Sequence, residues 1–387
     1  MFHNSYKTSI RKLKNSQSKK LDEETKSTTE IIPEVKDNVK LVKESLFVYY
    51  DNFTITLPTI SDISESFKFK QSFIKKHKMT TDEEPFINTK EYAEIINKNN
   101  INPYSDFTGD NNWLYFYFSK PLNDEILTGY YFIRIFSKEL SENILSFHAG
   151  FSEENSLFEG VKHFINHSNI KWTWYGSNKS SNNKGNDKGH DILGISGYEL
   201  DNVNNIRKID NQLFELLSDS AINFYVCEKE PKTIKYLFLN LALGMRYISK
   251  DGVLIMRLPN IDMWNSFSRH SIISFFLLSS LYFNSINIFK VPWTKLPKYY
   301  IILRHIKKNM DNKSFVSIMK YAEIIDNENN ISFYNNDLFA DDDIEKYTET
   351  IQINCNKLIS IAEDRKKNDI DFIWMENIII HKDDPDL

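Results

Sequence analysis

The chain has 387 residues, 41 % hydrophobic and 14 % aromatic, with a formal net charge of −5. That length holds one large domain or two ordinary ones around a real core, and the apolar content excludes a wholly disordered protein despite the abundance of Asn and Lys. The two cysteines, Cys227 and Cys355, lie far apart and without metal-ligand spacing, which argues against a disulfide framework or a zinc site and for a reducing, cytoplasmic setting.

In chain order, Met1 to Lys20 is polar and basic with no apolar h-region, so no secretory signal is expected. Residues 1–44, rich in Lys, Ser and Glu, read as a disordered tail. Residues 45–139 read as an N-terminal α/β segment. In it Leu46–Tyr50 and Phe53–Leu57 are strand-like, Ile63–Lys76 and Thr89–Lys98 have helical spacing, and two apolar runs follow at Trp113–Phe118 and Tyr130–Phe136. No chemistry is legible in this part.

From residue 140 to 308 strand and helix alternate. Ile144–Phe147 is a short strand ending in the small-residue turn His148-Ala149-Gly150. Ser152–His167 is helical, with Leu157, Val161, Phe164 and Ile165 on one face. Ile170–Tyr175 is a second strand, and Gly176–Gly197 a long polar loop. Leu200–Leu217 is a helix, Ile222–Cys227 a strand, and Thr233–Tyr247 a helix with Leu237, Leu241 and Met245 inward. Val253–Leu258 is the next strand, preceded by Gly252. A helix spans about Asp262–Tyr282, and Ile286–Val291 and Tyr299–Arg304 close the series. Such alternation implies βαβ units and a mainly parallel sheet, and the short loop between the last two strands implies an antiparallel edge. The fold expected is Rossmann-like α/β. Ser271–Phe289 is the best transmembrane candidate, but its Ser, Asn and Tyr residues divide it into a helix and a strand, so a soluble chain is expected.

Residues 309–387 form an acidic helical extension. Ile344, Tyr347, Ile351, Cys355, Leu358 and Ala362 recur at 3–4 spacing, the stripe of an amphipathic helix packed on the body. From Lys320 onward 17 acidic and 7 basic residues give a local charge of −10, which leaves residues 1–319 about +5. A mildly basic body is compatible with an RNA partner, and ordinary surface solvation accounts for it equally well.

The residues that could carry chemistry sit at strand ends, where open α/β sheets bind ligands. The turn Phe147 to Ile165 offers a glycine for close backbone approach and a following helix N-terminus. His148-Ala149-Gly150-Phe151-Ser152-Glu153, then Ile170-Lys171-Trp172-Thr173-Trp174-Tyr175-Gly176-Ser177, then Gly189-His190-Asp191-Ile192, then Lys250-Asp251-Gly252-Val253-Leu254-Ile255-Met256-Arg257, and finally Lys290 to Leu303 occur in an order and spacing that resemble the FtsJ (RrmJ-like) RNA 2'-O-methyltransferases over about 165 residues.

The resemblance implies a methyltransferase fold, S-adenosyl-L-methionine as cofactor and RNA, including capped mRNA, as substrate. It places His148, Ala149, Gly150, Phe151 and Asp191 at the cofactor. The family uses a Lys–Asp–Lys–Glu tetrad whose central lysine helps deprotonate the ribose 2'-hydroxyl. Here the first lysine falls at Arg134 or Lys138, the aspartate at Glu228, the central lysine at Arg257 and the glutamate near Lys298. An arginine stays protonated and cannot serve as a neutral base, Lys298 reverses a charge, and the Pro-Gly pair of the cofactor turn is missing. Two readings follow: a 2'-O-methyltransferase of RNA, the mRNA cap included, or a catalytically inactive pseudo-methyltransferase that stabilises or regulates an mRNA-capping or RNA-processing complex. Arg269, His270, Trp293 and Lys295 are candidates for an RNA groove. The Asn-, Lys- and Ile-heavy composition suggests an AT-rich genome, as in a large DNA virus or a protist. No membrane partner and no DNA specificity are expected, and no P-loop, G-x-S-x-G or HExxH motif occurs.

Overall fold

A computed structural model describes residues 54–59, 75–76, 124–137, 139–140, 142–151, 156–166, 168–178, 189–193, 199–217, 221–259, 267, 269–291, 298–325, 331–332 and 341–360. The described strands are β1 (Thr54–Thr56), β2 (Lys75–Lys76), β3 (Asn143–Ala149), β4 (Lys171–Asn178), β5 (Gly189–Leu193), β6 (Ile222–Cys227), β7 (Ile248–Arg257), β8 (Phe283–Lys290), β9 (Tyr299–Ile306) and β10 (Ile331–Ser332). The helices are α1 (Asp124–Phe136), α2 (Leu157–Asn166), α3 (Val203–Leu217), α4 (Ile234–Tyr247), α5 (Arg269–Tyr282), α6 (Asn312–Ile324) and α7 (Asp341–Ser360).

Eight strands form one sheet in the order β1-β8-β9-β7-β6-β3-β4-β5, and β10 pairs with β2 separately. The five strands β5-β4-β3-β6-β7 are parallel, β9 lies antiparallel between β7 and β8, and β1 is antiparallel to β8. This is the Rossmann-like sheet of a methyltransferase-type fold, with the antiparallel edge that the closing strands predict. From β3 the chain winds outward to β4 and β5, then returns to lay β6 on the other side of β3. The carboxyl ends of β3 and β6 are therefore the topological switch point, where a ligand crevice opens in such sheets.

Two cores sandwich the sheet. On one face Phe147, Tyr225, Leu254 and Met256 pack with Leu237, Leu241 and Phe276 of the helices above them. On the other, Ile144, Phe224, Val253 and Ile302 pack with Phe132, Ile133, Val161 and Phe164 of α1 and α2. Those two helices touch backbone to backbone. A Cβ on Gly129 would overlap the Leu157 carbonyl, and one on Gly160 the Ile126 carbonyl. The paired glycines thus hold the first turn of α2 beside the first turn of α1.

Several elements differ from the sequence reading. Gly176–Gly197 is not all loop: β4 runs on through Asn178 and β5 occupies Gly189–Leu193. This edge strand is held by backbone pairing to β4 rather than by an apolar run. Tyr130–Phe136 belongs to α1, which is buried on all sides and so shows no amphipathic stripe. Lys75 and Lys76, at the end of an expected helix, form β2. β7 begins five residues before Val253 and contains Gly252. The apolar run at 271–289 divides at Tyr282 into α5 and β8. Among the described residues no helix is long and apolar enough to cross a membrane. Residues 1–44, the helix expected at Thr89–Lys98, the strand-like run at 46–50 and the apolar run at 113–118 lie outside the described residues.

Candidate functional site

The turn after β3 is fixed from three sides. Register pairs His148 with Gly176 and Ala149 with Ser177. Alternation then sends the Ala149 side chain into the α3/α4 core and the His148 ring to the opposite face, under α2. Gly150 has φ 72°, a left-handed conformation that suits glycine, and its N–H donates to Ser177 Oγ at 2.9 Å. The buried Phe151 ring lies on Gly176 where a Cβ would otherwise sit. It meets Phe158 at 4.7 Å and Trp174 at 5.4 Å between centroids.

Beneath the turn runs a chain of buried polar groups. Trp172 Nε1–H donates to Ser146 Oγ at 2.7 Å, Ser146 Oγ meets His148 Nε2 at 3.1 Å, and His148 Nδ1 meets Glu228 Oε1 at 3.2 Å. The backbone N–H groups of Phe158 and Leu157, the first two of α2, also face the Glu228 carboxyl and favour its charged form. Ser156 Oγ takes the next, from Glu159, at 3.3 Å. Burial pushes the His148 imidazole down to about 3, so it is neutral at ordinary pH. Burial also drives the Glu228 carboxyl well above its ordinary range, against the pull of the two α2 amides. The chain closes without an orphan when His148 carries its proton on Nδ1. Ser146 then accepts from Trp172 and donates to Nε2, and Nδ1–H donates to Glu228.

Beside Glu228 lies a second charged group centred on Glu125, in the first turn of α1. Its Oε1 accepts from Arg257 NH1 at 3.1 Å and Lys298 Nζ at 2.7 Å, and its Oε2 accepts from Tyr300 Oη–H at 3.1 Å. Arg257 NH2 reaches Glu230 Oε2 at 2.9 Å, and Asp124 Oδ2 lies 3.9 Å from Lys298. Burial opposes the Arg257 charge, but Tyr300, Glu125 and Glu230 together hold the guanidinium above its usual value. Burial raises the Tyr300 hydroxyl well above its usual range, so it stays a donor.

Three of the four positions taken for the tetrad, Glu228, Arg257 and Lys298, therefore meet at the carboxyl ends of β6 and β7 and the start of β9. Arg134 is not among them. It is buried in the last turn of α1, nine residues and about 13 Å along the axis from Glu125. Lys138 lies outside the described residues. Of the cofactor candidates, His148, Ala149, Gly150 and Phe151 form the turn, and Asp191 lies on β5 opposite Gly176 of β4. His270 starts α5 and is half-buried, while Trp293 and Lys295 lie outside the described residues.

Sequence reasoning missed Glu125, Glu230, Tyr300, Ser146 and Trp172. The Asp124-Glu125 pair at the head of an apolar run was a signal for a helix start with acidic first-turn residues. Glu230, two residues beyond Glu228 at a strand end, was also within reach. Among the described residues no group of three His, Cys, Asp or Glu side chains is placed to hold a metal ion.

Chemically the cluster binds charge and offers no base at its centre. Arg257 is committed to two carboxylates, and Lys298 to Glu125. An adenosyl cofactor approaching the turn would find the Gly150 and Glu159 amides already donating to Ser177 and Ser156, and Glu228 facing the first amides of α2. The described residues do not fit that group as they stand.

No protein-family model matches the chain, and no curated protein does. Among solved structures it is similar to a putative class I S-adenosylmethionine-dependent methyltransferase from Listeria monocytogenes, at 12 % identity over 60 % of this chain and 89 % of that one, with a TM-score of 0.33. A likeness at that score adds nothing to the strand order, on which the fold stands.

Proposed function

We propose that the protein is an FtsJ-type pseudo-methyltransferase: a methyltransferase-fold subunit of an mRNA-capping or other RNA-processing complex that supports a catalytic partner and transfers no methyl group itself. The observation that carries this reading is Arg257. At the strand end where the resemblance requires a lysine able to lose its proton stands a permanent cation, doubly paired with Glu125 and Glu230. Lys298, which stands where the resemblance has a carboxylate, adds a second cation tied to the same glutamate.

The test is methyl transfer from radiolabelled S-adenosylmethionine to capped and uncapped RNA by the full chain. The expected result is no incorporation above a heat-inactivated control between pH 6 and 10, and incorporation that scales with protein would overturn the reading. One group keeps the catalytic alternative specific. Burial and the neighbouring Lys232 pull the Lys229 ammonium, next to Glu228, down to about 8, within reach of a neutral amine. If transfer is seen, Lys229→Arg should abolish it more completely than Arg257→Lys does.

A further inference from the structure

We propose that Glu228 is an internal ligand of this sheet: its carboxyl group takes, from within the chain, the anion position at the first turn of α2, and leaves that position no place for a cofactor's anion. The inference rests on reading the carboxyl ends of β3, β4 and β6 as the ligand-bearing edge. The first N–H groups of a helix have no intrahelical partner and form a natural anion site. Here the amides of Leu157 and Phe158 face the Glu228 carboxyl, which His148 Nδ1 holds at 3.2 Å, and Glu159 gives its own to Ser156. The turn amide of Gly150 is consumed in the same way by Ser177.

Glu228 is moreover anchored rather than merely near. Its backbone N–H donates to the Ala149 carbonyl at 3.2 Å, extending the pairing of β3 with β6. Its side chain is gripped from behind by His148, which Ser146 and Trp172 hold in turn. A carboxylate awaiting a substrate would keep an oxygen in solvent, whereas Glu228 is 7 % exposed. Phe151, seated on Gly176, fills the adjoining space at the end of β4. Any anion entering here must displace a carboxyl group held by His148 and facing the first amides of α2.

The experiment uses the full chain and three measurements. Glu228→Ala should melt about 10 °C below wild type, since one member of a buried hydrogen-bonded charge set is removed. Sodium formate should restore a good part of that loss, while sodium chloride at equal ionic strength should not. Wild type and Glu228→Gln, which keep an oxygen at the α2 amides, should not respond to formate. Titration of wild type with S-adenosylhomocysteine in a calorimeter should give no binding heat. Micromolar binding, or a Glu228→Ala protein indifferent to formate, would overturn the proposal. If Glu228→Ala does not fold, the wild-type titration still decides. A wild type that binds S-adenosylhomocysteine but transfers no methyl group removes this inference and leaves the non-catalytic reading standing.

Discussion

Along β3, Phe147 and Ala149 face α3 and α4 while Ser146 and His148 face α1 and α2. The same alternation divides the end of β6 into Tyr225 and Cys227 on one side and Val226 and Glu228 on the other. The α3/α4 face is mainly apolar where it meets the sheet. The α1/α2 face is apolar at the amino ends of the strands and polar at the carboxyl ends, where Ser146, His148, Glu228, Arg257 and Tyr300 gather. Both faces exclude water, so the polar groups at the carboxyl ends bond one another: Arg257 and Tyr300 reach Glu125 in the first turn of α1, and His148, held by Ser146 and Trp172, reaches Glu228. The difference teaches where the fold's specificity is stored. One face is held by volume, the other by a small number of directed bonds around two glutamates.

The sharpest way to break that comparison is to place one methyl group on each face. Gly160→Ala drives a Cβ into the Ile126 backbone, which cannot yield, and should cost ~3 kcal/mol or more in urea unfolding, or prevent folding. Gly244→Ala, on the apolar face, meets only the Leu254 side-chain tip, and the helix gains from alanine, so its net effect should stay within ~1 kcal/mol. Equal losses at the two sites would show that the faces are not packed differently.

Next in size is Arg257→Ala, which strands Glu125 and Glu230 and should cost about 3 kcal/mol, read as a shift of the urea midpoint. A smaller effect comes from pH. The unfolded His148 titrates near 6.5 and the folded one near 3, so the unfolded state binds more protons at every pH between. Its contribution is complete above about 6.5 and falls with pH, reaching a loss of ~2 kcal/mol at pH 5. Glu228, with its carboxyl pushed up, acts with the opposite sign in that window, gaining as pH falls. The measurement is therefore the difference between wild type and His148→Gln at pH 7 and pH 5. A pH-independent difference would remove the buried neutral histidine from the account. Smallest of all, Arg207→Ala breaks an exposed pair with Glu323 and should change stability by no more than ~0.5 kcal/mol, with the residual effect lost in high salt.

Much of the fold was legible because the parallel strands are continuous apolar runs separated by helices with clean stripes. Ile222–Cys227 and Thr233–Tyr247 agree with β6 and α4 almost to the residue. β5 was not legible, since Gly189–Leu193 owes its strand to β4 and not to its own side chains. α1 hid because burial on every side erases helical periodicity. For the site, Glu228, Arg257 and Lys298 came from the family resemblance, and each falls at or next to a strand end. Glu125 could not, because its partners lie 132 and 173 residues away and nothing local announces them.

The place of β9 in the sheet also bears on how the chain is made. Each of β4, β5, β6 and β7 meets a neighbour already synthesised, whereas β8 is followed by a wait: its sheet partners are β1, more than 220 residues earlier, and β9, not yet emerged. Until Ile306 leaves the ribosome, β7 presents a long, hydrophobic, unpaired edge, the surface most prone to join another chain. Nascent chains stalled between residues 258 and 298 should therefore be the ones that recruit chaperones, and release should coincide with the arrival of a single antiparallel strand.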